Sequence, residues 1–402
     1  MHSGRLIIGA AAAAFLCSIA SGHAAGMKLG ARSQDVRVQR AADSAFSQRQ
    51  LDDPKAQTPE VQPRIPNPPP APAKKKTRSS ASLRGRWESG LSVRGYYDGN
   101  ILDYSQRDLD HFKSRTHLNK FALETTDDWV SDLGGDVGRR WGSRSRNEYR
   151  VRLSADVHWY ARNQIKNWVD YAAEGRWARR KTTLIAHLGW TPHFYVRELQ
   201  ARNIPRQYPA SPPYRAAEYH AWSANLEYRF QSALPLEHRL SAGWKRTDYS
   251  HVFDERDNST YWAEYGWQVP LTAASSASWS YRYASVLTAG RNLPANFVDI
   301  SRSEHTLQAG LEYDSPHSPL GAALAVAYER QNFTSGKSTD FDHYGRHDDE
   351  VRIVPEIRLT LSGGWRYKLF YQWTHDTSNS KQTADFGAFS DNQLGLRVTH
   401  TF

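Results

Sequence analysis

With 402 residues and 52 Lys/Arg against 42 Asp/Glu, the chain has room for several ordinary domains or for one large barrel. A mean hydropathy of −0.72, with no run of about 18 apolar residues beyond the N-terminus, excludes a bundle of membrane-spanning helices. The net charge of +10 is uneven: residues 26–83 hold eleven Lys/Arg and five Asp/Glu, so only about +3 belongs to residues 84–402, which argues against a nucleic-acid partner because such a partner needs basic residues on a folded face.

In chain order, Arg5 precedes LIIGAAAAAFLCSIA, an apolar stretch too short for a comfortable span, and small residues follow up to Ala24. Residues 1–24 therefore read as a secretory signal peptide. Cys17, the only cysteine, lies inside that stretch, so the mature chain is expected to carry no thiol or disulfide chemistry. Residues 25–83 run through PRIPNPPPAPAKKKTR and read as a disordered Pro/Lys-rich periplasmic linker, an extended tether with little that forms a core. The alternative is a handle for a periplasmic export partner or for the cell wall.

From residue 84 to residue 402 apolar and charged residues alternate over stretches of about ten to fifteen residues, the period of a strand with one wet and one greasy face. In YRVRLSADVHWY, residues Tyr149, Val151, Leu153, Ala155, Val157 and Trp159 share one face and Arg150, Arg152, Ser154, Asp156 and His158 the other. Strands are expected near 84–96, 127–141, 147–161, 166–178, 182–195, 216–230, 236–249, 258–270, 277–290, 302–314, 321–333, 349–361, 364–376 and 388–402. The connections alternate between short (RRK, SGG) and long (ARNIPRQYPASPPY, SGKSTDFDHYGRH). With 14 Trp and 21 Tyr available for interfacial girdles, residues 84–402 are expected to form an all-β fold, a closed antiparallel transmembrane β-barrel of about 14 strands.

The chain finishes on LGLRVTHTF, in which Leu394, Leu396, Val398 and Phe402 point one way and Arg397, Thr399 and Thr401 the other. This stretch resembles the closing strand of bacterial outer-membrane β-barrels, whose alternating apolar residues and final aromatic serve as an assembly signal; His400 stands where an apolar or aromatic residue is usual. Fourteen strands, with GYYDGNIL at residues 95–102, are broadly similar to porin-like barrels and to those of polysaccharide-export or surface-lipoprotein-export systems. The resemblance implies the outer membrane of a Gram-negative cell, contact with its lipid and lipopolysaccharide, and insertion by the barrel-assembly machinery. It also implies that the N-terminal arm and the C-terminus lie in the periplasm.

The wet face is expected to line a pore through Arg86, Glu88, Arg94, Arg150, Arg152, Asp156, Glu174, Arg176, Glu227, Arg229, Arg239, Lys245, Glu264, Arg282, Glu312, Glu329, Arg352, Glu356, Arg358, Arg366, Lys368 and Arg397. The blander reading is that these residues pair across strands and only brace the wall. Arg outnumbers the acids, giving a weak expected preference for anionic or polar solutes. The loop after the first strand, with Asp98, Asp103, Tyr104, Asp108, Asp110 and Phe112, is read as solvated surface, with an inward constriction as the alternative.

The favoured function is an outer-membrane conduit for polar solutes or for an exported polymer such as an exopolysaccharide. The alternatives are a surface assembly, adhesion or lipoprotein-export barrel and, further off, a hydrolase using Ser154, Asp156 and His158. Neither HExxH nor GxSxG occurs, so no catalytic residues are assigned. The loop residues Asp340, Asp342, His343, His347, Asp348 and Asp349 lack EF-hand spacing and are read as solvated, with no metal or cofactor assigned.

Overall fold

The computed structural model describes residues 85–402 except 115–120, 144–146, 201–213, 233–234, 295–296, 316 and 380–387. The expected signal peptide and linker therefore lie outside the described residues, as does the tip of ARNIPRQYPASPPY. Among the described residues the alternating stretches become fourteen strands. These are β1 (Arg86–Asp98), β2 (Asp128–Ser143), β3 (Asn147–Tyr160), β4 (Trp168–Arg179), β5 (Thr182–Gln200), β6 (Tyr214–Gln231), β7 (Glu237–Tyr249), β8 (Asn258–Pro270), β9 (Ser275–Thr288), β10 (Arg302–Asp314), β11 (Leu320–Phe333), β12 (His347–Thr360), β13 (Trp365–Ser378) and β14 (Phe389–Thr401). One helix, α1 (Gln106–Lys113), interrupts the all-β pattern between β1 and β2.

Each strand pairs antiparallel with its neighbours in sequence, and β1 closes on β14, from Gly90 opposite Thr401 to Asp98 opposite Gln393. Closure is what lets extended backbone stand in lipid, because no edge is left with unpaired N–H and C=O groups. The chain is thus a closed fourteen-stranded transmembrane β-barrel. The described residues contain no helix long and apolar enough to cross a membrane.

The period-2 pattern sorts the side chains. Leu91, Leu133, Val151, Leu188, Leu226, Leu311, Leu324, Ile357, Leu369 and Leu396 are exposed on the outer face, where water would make them costly and lipid does not. Aromatic side chains gather towards the strand ends, with Trp87, Tyr149 and Trp365 at one rim and Tyr97, Trp129 and Trp159 at the other. Of the fourteen tryptophans only Trp168 and Trp262 fall on inward-facing strand positions, so the tryptophans belong to girdles and not to a dry centre. Trp262 lies flat over the position where Gly243 would carry a Cβ, which is why that inward site on β7 holds glycine.

The strands depart from the sequence expectations mainly at their long-loop ends. β5 runs on to Gln200 through two register shifts, after Thr191 and after Tyr195, which keep its pairing with β6 while re-aiming Phe194 and Arg197 inward. β12 starts at His347 and β9 at Ser275, each two residues early. His400, which broke the sequence pattern, sits 4.4 Å from the Trp365 ring and 4.1 Å from the Phe402 ring and bonds the Gly363 carbonyl at 2.9 Å. It fills an aromatic place in the girdle on the outward face it shares with Leu394, Leu396 and Val398.

Candidate functional site

All twenty-two charged residues named from sequence fall on inward-facing positions of their strands, alternating with the exposed apolar residues. Glu88 stands 3.2 Å from Arg140 and 3.3 Å from Arg150, Arg152 meets Asp136 at 2.5 Å, and Arg239 pairs with Glu264. Arg229 pairs with Glu227, Arg352 with Glu350 at 2.7 Å, Lys368 with Glu356 at 3.0 Å and Arg358 with Glu312 at 3.8 Å. Glu174 lies 3.8 Å from His187, Arg282 covers the Trp262 ring, and Glu329 accepts from Gln331 at 2.7 Å. Lys245 is buried beside Tyr219, while Arg86 is exposed at the short-turn rim. Asp156, Arg176, Arg366 and Arg397 occupy the same inner face on β3, β4, β13 and β14. Arginine's surplus by count is thus largely neutralised by carboxylates on the same or the neighbouring strand, which weakens the basis for an anion preference.

Sequence reasoning missed a second group at the long-loop end. Arg94 donates to Asp132 on β2, with Nε 2.5 Å from Oδ2. The other oxygen of Asp132 meets His158 Nδ1 at 2.8 Å, and the His158 ring stacks on Trp168 with centroids 3.8 Å apart and planes 6° apart. His158 therefore reaches across to β2 and β4 rather than along its own strand to Ser154, so the three-residue arrangement of a hydrolase is not assembled. Asp132 was legible as an inward position opposite His158, but only the pairing register, not the spacing along one strand, brings the two together.

The loop after β1 turns inward, correcting the expectation of a solvated surface. Asn100 caps the turn, its Nδ2 donating to the Tyr104 carbonyl and its Oδ1 accepting from the Tyr104 N–H, both at 2.8 Å. Ser105 caps α1 through Asp108 N. Leu102, Tyr104, Ser105 and Asp108 are almost wholly buried, packed with inward-facing Tyr96, Tyr160, Trp168, Phe194 and Tyr219. From β5, Arg197 donates to the Leu102 carbonyl and lies 5.0 Å over the Tyr104 ring. On the far side Asn163 donates to Asp128 at 2.9 Å and accepts from Glu124 N at 2.9 Å. The signal for this was present in the apolar spacing of Ile101, Leu102, Tyr104 and Phe121, which a solvated loop does not need.

Burial sets the chemistry of the groups in these connections. Desolvation drives the Lys166 ammonium down to about 8, against the pull of Asp103 and Asp98, and its nitrogen lies 5.1 Å from the Phe194 ring and 5.8 Å from the Tyr160 ring. Burial likewise pushes the Tyr104 phenol well up. Between the infolded loop and the inner faces of β1, β12, β13 and β14 remains a cavity of about 100 Å3, lined by Asp98, Asp103, His158, Glu350, Asp391 and Gln393 among others.

The described residues of the β9–β10 and β11–β12 connections are likewise tied to the protein instead of being solvated. Lys337 Nζ donates to the carbonyls of Gly290, Pro294 and Phe297, Asp340 accepts from the Asp299 N–H at 2.9 Å and meets His343 at 2.9 Å, and Arg346 pairs with Asp348 at 2.6 Å. Asp340, His343 and Asp348 are thus engaged within the protein. Among the described residues no group of three His, Cys, Asp or Glu side chains is placed to hold a metal ion.

No protein-family model matches the chain, and no curated protein matches its sequence. Solved structures similar to it include OprD of Pseudomonas aeruginosa, at 10% identity over 80% of this chain and 97% of that one with a TM-score of 0.35. An anion-selective porin from Comamonas acidovorans is similar at 7% identity over 79% and 99%, with a TM-score of 0.38. A bacterial polysaccharide outer membrane secretin is similar at 11% identity over 78% and 98%, with a TM-score of 0.41.

Proposed function

We propose that the chain is a passive outer-membrane conduit for small polar solutes, narrowed at its long-loop end by the segment between β1 and β2. The observation that carries this reading is the sorting of the two faces: apolar side chains exposed outside, charged and hydrogen-bonded side chains inside. Barrels of about eight strands are filled by their own side chains and those of 16–18 hold water, so a fourteen-stranded wall has room for a solvated path beside an infolded loop. The fixed Arg–carboxylate pairs give that path a polar lining without a strong field of one sign.

The infolded loop favours small solutes over an extended polymer, since a polymer would have to displace Leu102 and Tyr104 from their packing. His158, held by Asp132 and stacked on Trp168, supports a lining role for its strand rather than a catalytic one. Placement of the N-terminal arm and of Phe402 in the periplasm follows from reading the short connections as the periplasmic set.

The test is planar-bilayer recording on refolded protein. A steady ohmic conductance is expected, rising when residues 99–124 are deleted. Silence of both proteins, with folding checked by heat-dependent gel mobility, removes the conduit reading.

A further inference from the structure

Outward-facing cations are compensated differently at the two ends of the barrel. At the long-loop end they come with acids: Arg246 lies 2.5 Å from Asp248 and 3.4 Å from Asp257, and Arg330 lies 3.8 Å from Asp349. At the short-turn end they do not. Arg139 on β2, Arg179 on β4, and Arg180 and Lys181 in the β4–β5 connection are all exposed, and among the described residues none of the four has a carboxylate partner.

These four are also confined to one arc. From β6 to β14 the outward positions nearest the short turns hold residues such as Phe230, Trp267, Tyr313, Leu359 and Trp365, and no Lys or Arg. Among the described residues of the short connections, Arg180 and Lys181 are the only Lys or Arg. Uncompensated positive charge on the outer surface is thus gathered beside β2–β5, where like charges repel unless an anion joins them.

Depth decides which anion. Trp141, Tyr149 and Trp177 form one outward row of the girdle across β2, β3 and β4, with the Trp141 and Tyr149 rings stacked at 6.2 Å. Arg179 stands one outward position to the water side of Trp177. Arg139 stands one outward position to the lipid side of Trp141, its guanidinium 5.5 Å over the Trp87 ring. An arginine set on the lipid side of a girdle reaches the interface along its neighbours, and the anion found at that level is a lipid phosphate, which a water-soluble acidic partner cannot replace. In the same row as Arg139, the outward side of Gly175 has no heavy atom within 4 Å of where a Cβ would stand, leaving room for a glycerol backbone beside the guanidinium.

We propose that the outer surface of β2–β5 at the short-turn rim binds the headgroup of an anionic glycerophospholipid, with Arg139 meeting the phosphate beside Trp87 and Arg179, Arg180 and Lys181 adding positive charge on the water side of the girdle. Attraction of this kind grows with each cation near the surface and is screened within a Debye length. The site stands apart from the conduit reading; only its leaflet rests on taking the short connections as periplasmic.

The test is native mass spectrometry of the full-length protein in detergent, titrated with phosphatidylglycerol or with phosphatidylcholine of the same acyl chains. Saturable retention of phosphatidylglycerol is expected, about tenfold tighter than that of phosphatidylcholine or better, and weakening as salt is raised. The quadruple variant Arg139→Gln/Arg179→Gln/Arg180→Gln/Lys181→Gln should lose most of that preference, while Arg246→Gln/Arg330→Gln, which removes outward cations from the other rim, should keep it. Should the quadruple variant fail to fold by gel mobility, Arg180→Glu/Lys181→Glu, confined to the connection, should weaken phosphatidylglycerol binding severalfold. The proposal is overturned by equal retention of the two lipids, by unchanged phosphatidylglycerol affinity in a folded quadruple variant or in Arg180→Glu/Lys181→Glu, or by an equal loss in Arg246→Gln/Arg330→Gln.

Discussion

Arg197→Met tests whether the β1–β2 loop is held in place by the contacts that β5 supplies. Arg197 donates from its guanidinium to the Leu102 carbonyl and lies 5.0 Å over the Tyr104 ring, and methionine keeps most of its stem while removing both interactions. A hydrogen bond from a charged donor contributes about 1.5–3 kcal/mol and a desolvated cation–π contact about 1–2 kcal/mol, so the docked loop should lose roughly 2–5 kcal/mol relative to the undocked one. At 1.4 kcal/mol per factor of ten, the undocked population rises about thirtyfold or more. Trypsin reads that population, because Arg107 and Lys113 lie on α1 and cleavage there requires the helix to leave the barrel. The expected result is cleavage of folded Arg197→Met between β1 and β2 at least ten times faster than in the parent protein, together with larger single-channel conductance. Equal cleavage rates in two proteins of equal heat-dependent gel mobility would show that Arg197 does not hold the loop and that the packing of Leu102 and Tyr104 suffices.

Asp132→Asn should destabilise the barrel by about 3–5 kcal/mol in denaturant unfolding from liposomes, since it removes the carboxylate paired with the buried Arg94 guanidinium, whereas Arg94→Met/Asp132→Asn should recover most of that loss. Val326→Arg, at mid-height on the outer face of β11, should cost about 2–4 kcal/mol in the same assay, while Ala325→Arg on the inner face of the same strand should cost far less. Lys166 has a folded-state value of about 8, below its ordinary one of 10.5, so the folded protein binds fewer protons between them; stability should rise with pH from about 8 to 10.5, and Lys166→Met should flatten that rise in thermal unfolding followed by gel mobility. Gly243→Val should displace Trp262, whose ring occupies the space the new side chain needs, and lower the unfolding temperature without altering the gel mobility of the folded form.

The wall was legible because lipid on one side and polar chemistry on the other impose a strict period of two, and a slip of one residue would reverse every side chain. Tyr149 to Trp159 alternating with Arg150 to His158 therefore defines β3 without reference to any partner. Legibility fell where that constraint lapses. Above the girdle β5 no longer meets lipid on its outer side, so the two register shifts that turn Phe194 and Arg197 inward leave no periodic trace.

The interior followed a different logic. Inward residues are fixed in direction by their own strand, but what they do depends on which strands lie beside them, and sequence distance conceals that. Asp98 and Asp391 are nearly three hundred positions apart yet meet because closure puts β1 against β14, and a single Gln393 nitrogen bridges them. His158, four positions from Ser154 on β3, is by contrast drawn away from it by Asp132 on β2 and Trp168 on β4. Counting arginines along the chain overstates the positive field for the same reason: Glu88, Asp136 and Glu264 meet Arg150, Arg152 and Arg239 from neighbouring strands, and Glu227 and Glu350 meet Arg229 and Arg352 from two residues away on the same strand.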